Sequence, residues 1–170
     1  MLNENIIENK IVNLRMFFFK IMKLKLLKKI TIYIMSVLYV SVGINHFTDP
    51  EFFLAIVPPF LLFKIEIVYL SGILEILMGL CLIFKKTRKI GALGILILLI
   101  LVFPANVYLY ISELPQEILN ISKDQAMIRM PFQIPLIILA LWHSQEKSSK
   151  IFSIFCIILF IPTLIYFLTI

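Results

Sequence analysis

The stretch IVYLSGILEILMGLCLIFKKTRKIGALGILILLILVFPANVYLY, residues 67–110, decides the fold. Two apolar runs, 67–84 and 90–110, flank the basic pentapeptide KKTRK. A bilayer core is crossed by about 20 apolar residues in a helix, because hydrocarbon leaves an unpaired backbone group without a partner. Both runs meet that length, so the stretch reads as a transmembrane hairpin with a basic turn. Working outward, 30–47 and 151–170 are apolar runs of the same kind. A fifth run, 126–143, contains Arg129, Pro131 and Pro135, but between 132 and 142 only Gln133 is strongly polar. Arg129 is expected near its end, with its charge snorkelling to the interface. Trp142 and His143 are expected in the aromatic belt at the other interface.

The whole chain agrees with a polytopic all-α membrane protein of five spans. Hydrophobic residues make up 61% of 170, charged residues 15%, and the mean hydropathy is +1.03. A formal charge of +6 raises the question of nucleic acid. The basic residues instead sit beside long apolar runs, which points to membrane orientation and to no nucleic-acid partner. Cys81 and Cys156 lie inside apolar segments and form no C-x-x-C pair, so they read as small buried residues.

Of the 16 lysines and arginines, all but Lys64, Lys123 and Arg129 precede the first span or fall in the loops between spans two and three and between spans four and five. Asp49, Glu51, Glu66, Glu113, Glu117 and Asp124 accompany those three. The positive-inside rule then predicts a bacterial-type cytoplasmic membrane, a cytoplasmic N-terminus and a C-terminus outside. Residues 1–29 carry Lys20, Lys23 and Lys25 within their apolar stretch and no small-residue cleavage site. They read as a basic amphipathic segment on anionic lipid rather than a signal peptide. Residues 50–64 are too short and too broken to span. Asp49 is placed to cap a short helix with Pro50 as its first residue, and Pro58-Pro59 to end it. The segment is expected to form an interfacial lid.

Polar groups inside the spans need partners or a job. Glu75 sits near the middle of span two, with Ser71 one turn away on the same face and Gly72 and Gly79 permitting close approach of another helix. Asn45 and His46 end span one, Asn106 lies near the exit of span three, and Arg129 and Gln133 share a face of span four. Asn45, His46, Asn106, Arg129 and Gln133 are depth-matched, so they are expected to form one cluster under the lid, with Ser71 beside it and Glu75 as its deepest member. Such a cluster suits a quinone head group, a small polar solute, or a proton relay through Glu75 and His46. It equally suits a hydrogen-bonded packing network in which Arg129 compensates Glu75. No catalytic residue and no metal-ligand cluster is signalled.

Six pieces recur in a definite order: GINHF (43–47), PEFFLAIVPPF (50–60), SGILEILMG (71–79), TRKIGALG (87–94), FPAN (103–106) and RMPFQ (129–133). On these pieces the chain resembles the DoxX-like family of membrane proteins. The resemblance implies a four-helix transmembrane bundle over 30–143, with 151–170 as an additional C-terminal transmembrane helix. It also implies kinship with a subunit associated with thiosulfate:quinone oxidoreduction and with relatives tied to membrane oxidative-stress complexes. It carries no catalytic assignment onto Glu75 or His46.

Three functions are weighed. An accessory or assembly component of a membrane complex, not a stand-alone enzyme, agrees with the lack of nucleophile–base pairs and phosphate loops. A membrane subunit of a quinone-linked oxidoreductase would hold quinone as its cofactor while an oxidoreductase partner supplies the redox centre. A small transporter ranks last, since no pair of broken helices in inverted halves is evident. The bilayer is the one partner that composition names; the oligomeric state is open.

Overall fold

In a computed structural model, the backbone is described over residues 2–169 and the side chains over residues 22–169. The described residues are helical and form no strand. The elements are α1 (Leu2–Thr48), α2 (Pro50–Ala55), α3 (Lys64–Ile83), α4 (Arg88–Ile111), α5 (Glu113–Leu119), α6 (Lys123–Ser144) and α7 (Lys150–Thr169). Among the described residues, five helical segments are long and apolar enough to cross a bilayer: 22–48 within α1, then α3, α4, α6 and α7. α1 runs through residue 29 without a break. The amphipathic character expected of 1–29 concerns side chains that, for 1–21, lie outside the described residues.

Side-chain burial inverts the pattern of a soluble protein. Ser36, Gln133, His143 and Thr163 are buried, while Val37, Leu101 and Ile151 are 65%, 67% and 84% exposed. Water would penalise that apolar surface heavily, whereas lipid accepts it and forces polar groups inward. The chain is an integral membrane protein.

Small residues set how closely the helices approach. α1 lies along α3, and a Cβ on Gly43 would come within 2.7 Å of the Gly72 carbonyl oxygen. Ser36 Oγ donates to the Gly79 carbonyl at 2.7 Å, a bond that the missing glycine side chain leaves open. α3 packs on α4, where the Met78 carbonyl and Cys81 lie over Gly91 and the Met78 side chain fills the space over Gly94. α4 packs on α6, and α7 contacts both α6 and α1.

At the end of the bundle that holds the 84–87 turn, cations close helix C-termini whose last carbonyls have no intrahelical donor. Arg88 donates from Nε to the Leu82 carbonyl at 3.0 Å and from Nη2 to that of Ile83 at 3.2 Å, and Thr87 Oγ1 donates to that of Cys81 at 2.9 Å. Lys28 Nζ donates to the Gln145 carbonyl at 2.7 Å while lying 5.1 Å from the centre of the Trp142 ring.

Four local expectations are corrected. Trp142 is fully buried rather than in a lipid-facing belt, because its indole N–H donates to Ser148 Oγ at 3.2 Å and its ring joins a core with Ile32, Leu82 and Cys156. His143 is buried too, 3.1 Å from Thr31 Oγ1 through Nε2. Asp49 makes no side-chain cap to α2, whose boundary is set by Pro50 and by the chain leaving helical geometry before Pro58-Pro59. α6 starts three residues earlier than the apolar pattern, at Lys123, because Ser122 and Gln125 form a reciprocal capping box. Helix α5 between spans three and four was not anticipated; it ends on Asn120 in the left-handed region, which asparagine tolerates.

Candidate functional site

Gly72 positions the first functional side chain. A Cβ there would fall 2.6 Å from His46 Cβ, so its absence lets α1 press His46 onto the α3 backbone. His46 Nδ1 then lies 2.8 Å from the Val68 carbonyl oxygen. Ser71 Oγ, itself donating to that carbonyl at 2.8 Å, stands 3.1 Å from the same ring nitrogen. A carbonyl only accepts, so Nδ1 carries a hydrogen and the free tautomer choice disappears. Nε2 is thereby turned to Glu75, one helical turn beyond Ser71, at 3.5 Å from Oε2.

Helix α2 covers this pair. Phe53 of α2 stacks on the His46 ring with centroids 3.6 Å apart, and Phe52 lies 5.0 Å from the Arg129 guanidinium. Both contacts hold α2 against polar side chains through ring faces. No ion pair joins Arg129 to Glu75, and among the described residues the guanidinium has no hydrogen-bond acceptor.

Beneath α2 is a cavity of about 410 Å³. His46, Ser71, Glu75, Asn106, Arg129 and Gln133 all line it, together with a largely apolar wall. The depth-matching read from the sequence thus brings six of the seven candidate residues to one space. Asn45 is exposed and stands apart, since neighbouring helical residues point about 100° from one another. Asn106 and Gln133 are satisfied within the bundle. Asn106 Nδ2 donates to Gln133 Oε1 at 3.2 Å, and Gln133 Nε2 donates in turn to the Leu99 carbonyl beside the Pro104 turn of α4.

Two residues of the site escaped the sequence reading. Tyr39 lies seven residues before His46, two turns along the same face of α1. Tyr166 reaches the cavity from α7, its ring stacked on Phe132 with centroids 3.8 Å apart. A tyrosine inside an apolar run is the signal for both, because its hydroxyl demands a partner when buried. Among the described residues, the buried side-chain polar atoms with no hydrogen-bond partner are Tyr39 Oη, Glu75 Oε2 and Tyr166 Oη. All three belong to residues that line this cavity.

The family described as "Domain of unknown function (DUF8561)" matches residues 35–144. The chain belongs to that family. The DUF8561 segment starts within α1 and ends with α6, so it contains the lid and every cavity element except α7. No curated protein and no solved structure matches the chain.

Proposed function

We propose that the protein is a ligand-binding accessory component of a membrane complex, whose cavity takes the polar head of a small lipophilic molecule from the bilayer. The observation that carries this reading is that, among the described residues, the three buried polar atoms without a hydrogen-bond partner all belong to residues lining one cavity. A buried polar atom without a partner costs about 1–3 kcal/mol. A network serving packing alone would satisfy its members internally, as Asn106 and Gln133 are satisfied. Apolar walls with a few convergent polar groups are the usual form of a small-molecule site.

Native mass spectrometry of the chain in mild detergent tests this. Wild type is expected to retain one lipophilic molecule. A Tyr39→Phe, Tyr166→Phe double variant is expected to lose it without losing thermal stability. If wild type carries nothing and the variant is less stable, the cluster serves packing and the proposal fails.

A second reading follows from the His46–Glu75 pair, which offers one proton acceptor and one donor across 3.5 Å. That suits the head of a quinol, which gives up two protons as two electrons pass to a membrane oxidoreductase partner; the pair would take the first proton, release it to water, and then take the second. Quinone-dependent electron flow lost in Glu75→Gln membranes, with the protein still present, would favour it over simple lipophile binding.

In this proposal the α2 end faces outside and the N-terminus is cytoplasmic, supported by the basic residues gathered at the opposite end. The bundle is read as four spans plus one. The family match over 35–144, which leaves α7 out, supports that division. The likeness to DoxX-like proteins rests on the six ordered sequence pieces and is kept as a proposal.

A further inference from the structure

We propose that the ligand is an anionic amphiphile, a carboxylate or phosphate head on an acyl chain, with Arg129 as its counter-charge. This rests on reading the cavity as a lipophile site. The groups lining it that bear charge are His46, Glu75 and Arg129. His46 keeps its Nδ1 hydrogen on the Val68 carbonyl, so the open question is what lies between Nε2 and Glu75 Oε2. A bare carboxylate facing a ring lone pair, buried and without a donor, is the costliest arrangement. One proton therefore sits between the two groups. Whether it resides on nitrogen or oxygen, the pair sums to zero, and Arg129 leaves the cavity with a charge of one cation.

The Phe52 face answers that charge only in part, because a ring accepts none of the guanidinium hydrogens in-plane. A carboxylate or phosphate matches the planar fork bidentately and restores neutrality. A neutral carbonyl head leaves the cation uncompensated. The hydroxyls of Tyr39 and Tyr166, still without acceptors, supply O–H donors for the remaining head-group oxygens. An exit for the chain exists as well. Phe60 and Leu101 both line the cavity and are 74% and 67% exposed, so the rim reaches the lipid-facing surface.

The test titrates the full-length protein in a neutral detergent with oleate, an oleoyl lysophosphatidate, oleyl alcohol and a short-chain quinone, reading stoichiometry and affinity by native mass spectrometry and calorimetry. At least one of the two anions is expected to bind one per chain, at least about tenfold tighter than the alcohol or the quinone. Preference for oleate identifies a free carboxylate as the source, and preference for lysophosphatidate a lipid phosphate. Arg129→Gln is expected to abolish the anion's advantage over the alcohol, and Arg129→Lys to keep part of it. Alcohol or quinone binding as tightly as both anions overturns the inference but leaves the lipophile site standing. Failure of all four probes to bind overturns both. The wild-type comparison among probes decides the matter even if Arg129→Gln does not fold.

Discussion

His46 presents Nε2 to Glu75 Oε2 at 3.5 Å because Nδ1 is held 2.8 Å from the Val68 carbonyl oxygen. One contact fixes the tautomer and the other uses it. The pair is unequal in its structural role: His46 has a backbone bond and a stacked ring, whereas Glu75 Oε2 has no hydrogen-bond partner. His46→Ala is expected to cost about 2–4 kcal/mol through the lost bond and the void beneath Phe53. Glu75→Gln is expected to stay within about 1 kcal/mol of wild type. Thermal unfolding in detergent measures both, and equal losses would mean that Glu75 serves packing.

The α1–α3 contact tolerates no Cβ at Gly72, where the new atom would meet His46 Cβ at 2.6 Å and the Gly43 carbonyl oxygen at 2.9 Å. Backbone cannot yield there, so Gly72→Ala is expected to destabilise by at least about 1–3 kcal/mol and to displace His46. Gly94→Ala meets Met78 Sδ, the flexible arm of a thioether that can swing away. Its loss of melting temperature should be clearly smaller than that of Gly72→Ala, although its contact is the shorter. The reverse order would refute this account of the helix crossing.

Asn106 and Gln133 join α4 to α6 through the 3.2 Å amide bond. In a membrane such bonds contribute modestly, since the separated helices also find partners, so a double-mutant cycle of Asn106→Leu and Gln133→Leu is expected to give a coupling of about 0.6–1.7 kcal/mol. A coupling near zero would show that the Leu99 carbonyl alone holds Gln133.

The proposed orientation puts Asp124 outside and Glu146 inside, both of them exposed. In a Cys81→Ala, Cys156→Ala background, Asp124→Cys in intact cells is expected to react with a membrane-impermeant maleimide. Glu146→Cys should react only after permeabilisation. Labelling in the opposite order would invert the topology.

Lid removal is the remaining expectation. Phe53 covers the His46 ring at 3.6 Å, so Phe53→Ala should speed ligand exchange while changing affinity less than Arg129→Gln. Stopped-flow displacement of a bound fluorescent acyl probe reads the rate directly. An unchanged rate would mean that entry is lateral, past Leu101, and not under α2.

Composition and spacing alone pointed to a helical membrane protein with five spans, and to a set of polar residues at matched depth in several of them. Those conclusions need only the length of a bilayer core and the cost of a charge within it. Depth, however, is one coordinate, and packing supplies the angle about each helix. That angle sends Asn45 outward while His46, the next residue, faces the cavity. It also gives Asn106 and Gln133 to each other and leaves Glu75 Oε2, Tyr39 Oη and Tyr166 Oη without a hydrogen-bond partner. Tyr166 stands out inside its apolar run, but nothing local to α7 tells which neighbours it meets. Contacts between helices distant in the chain depend on which small residues let backbones touch, and only the tertiary structure decides them.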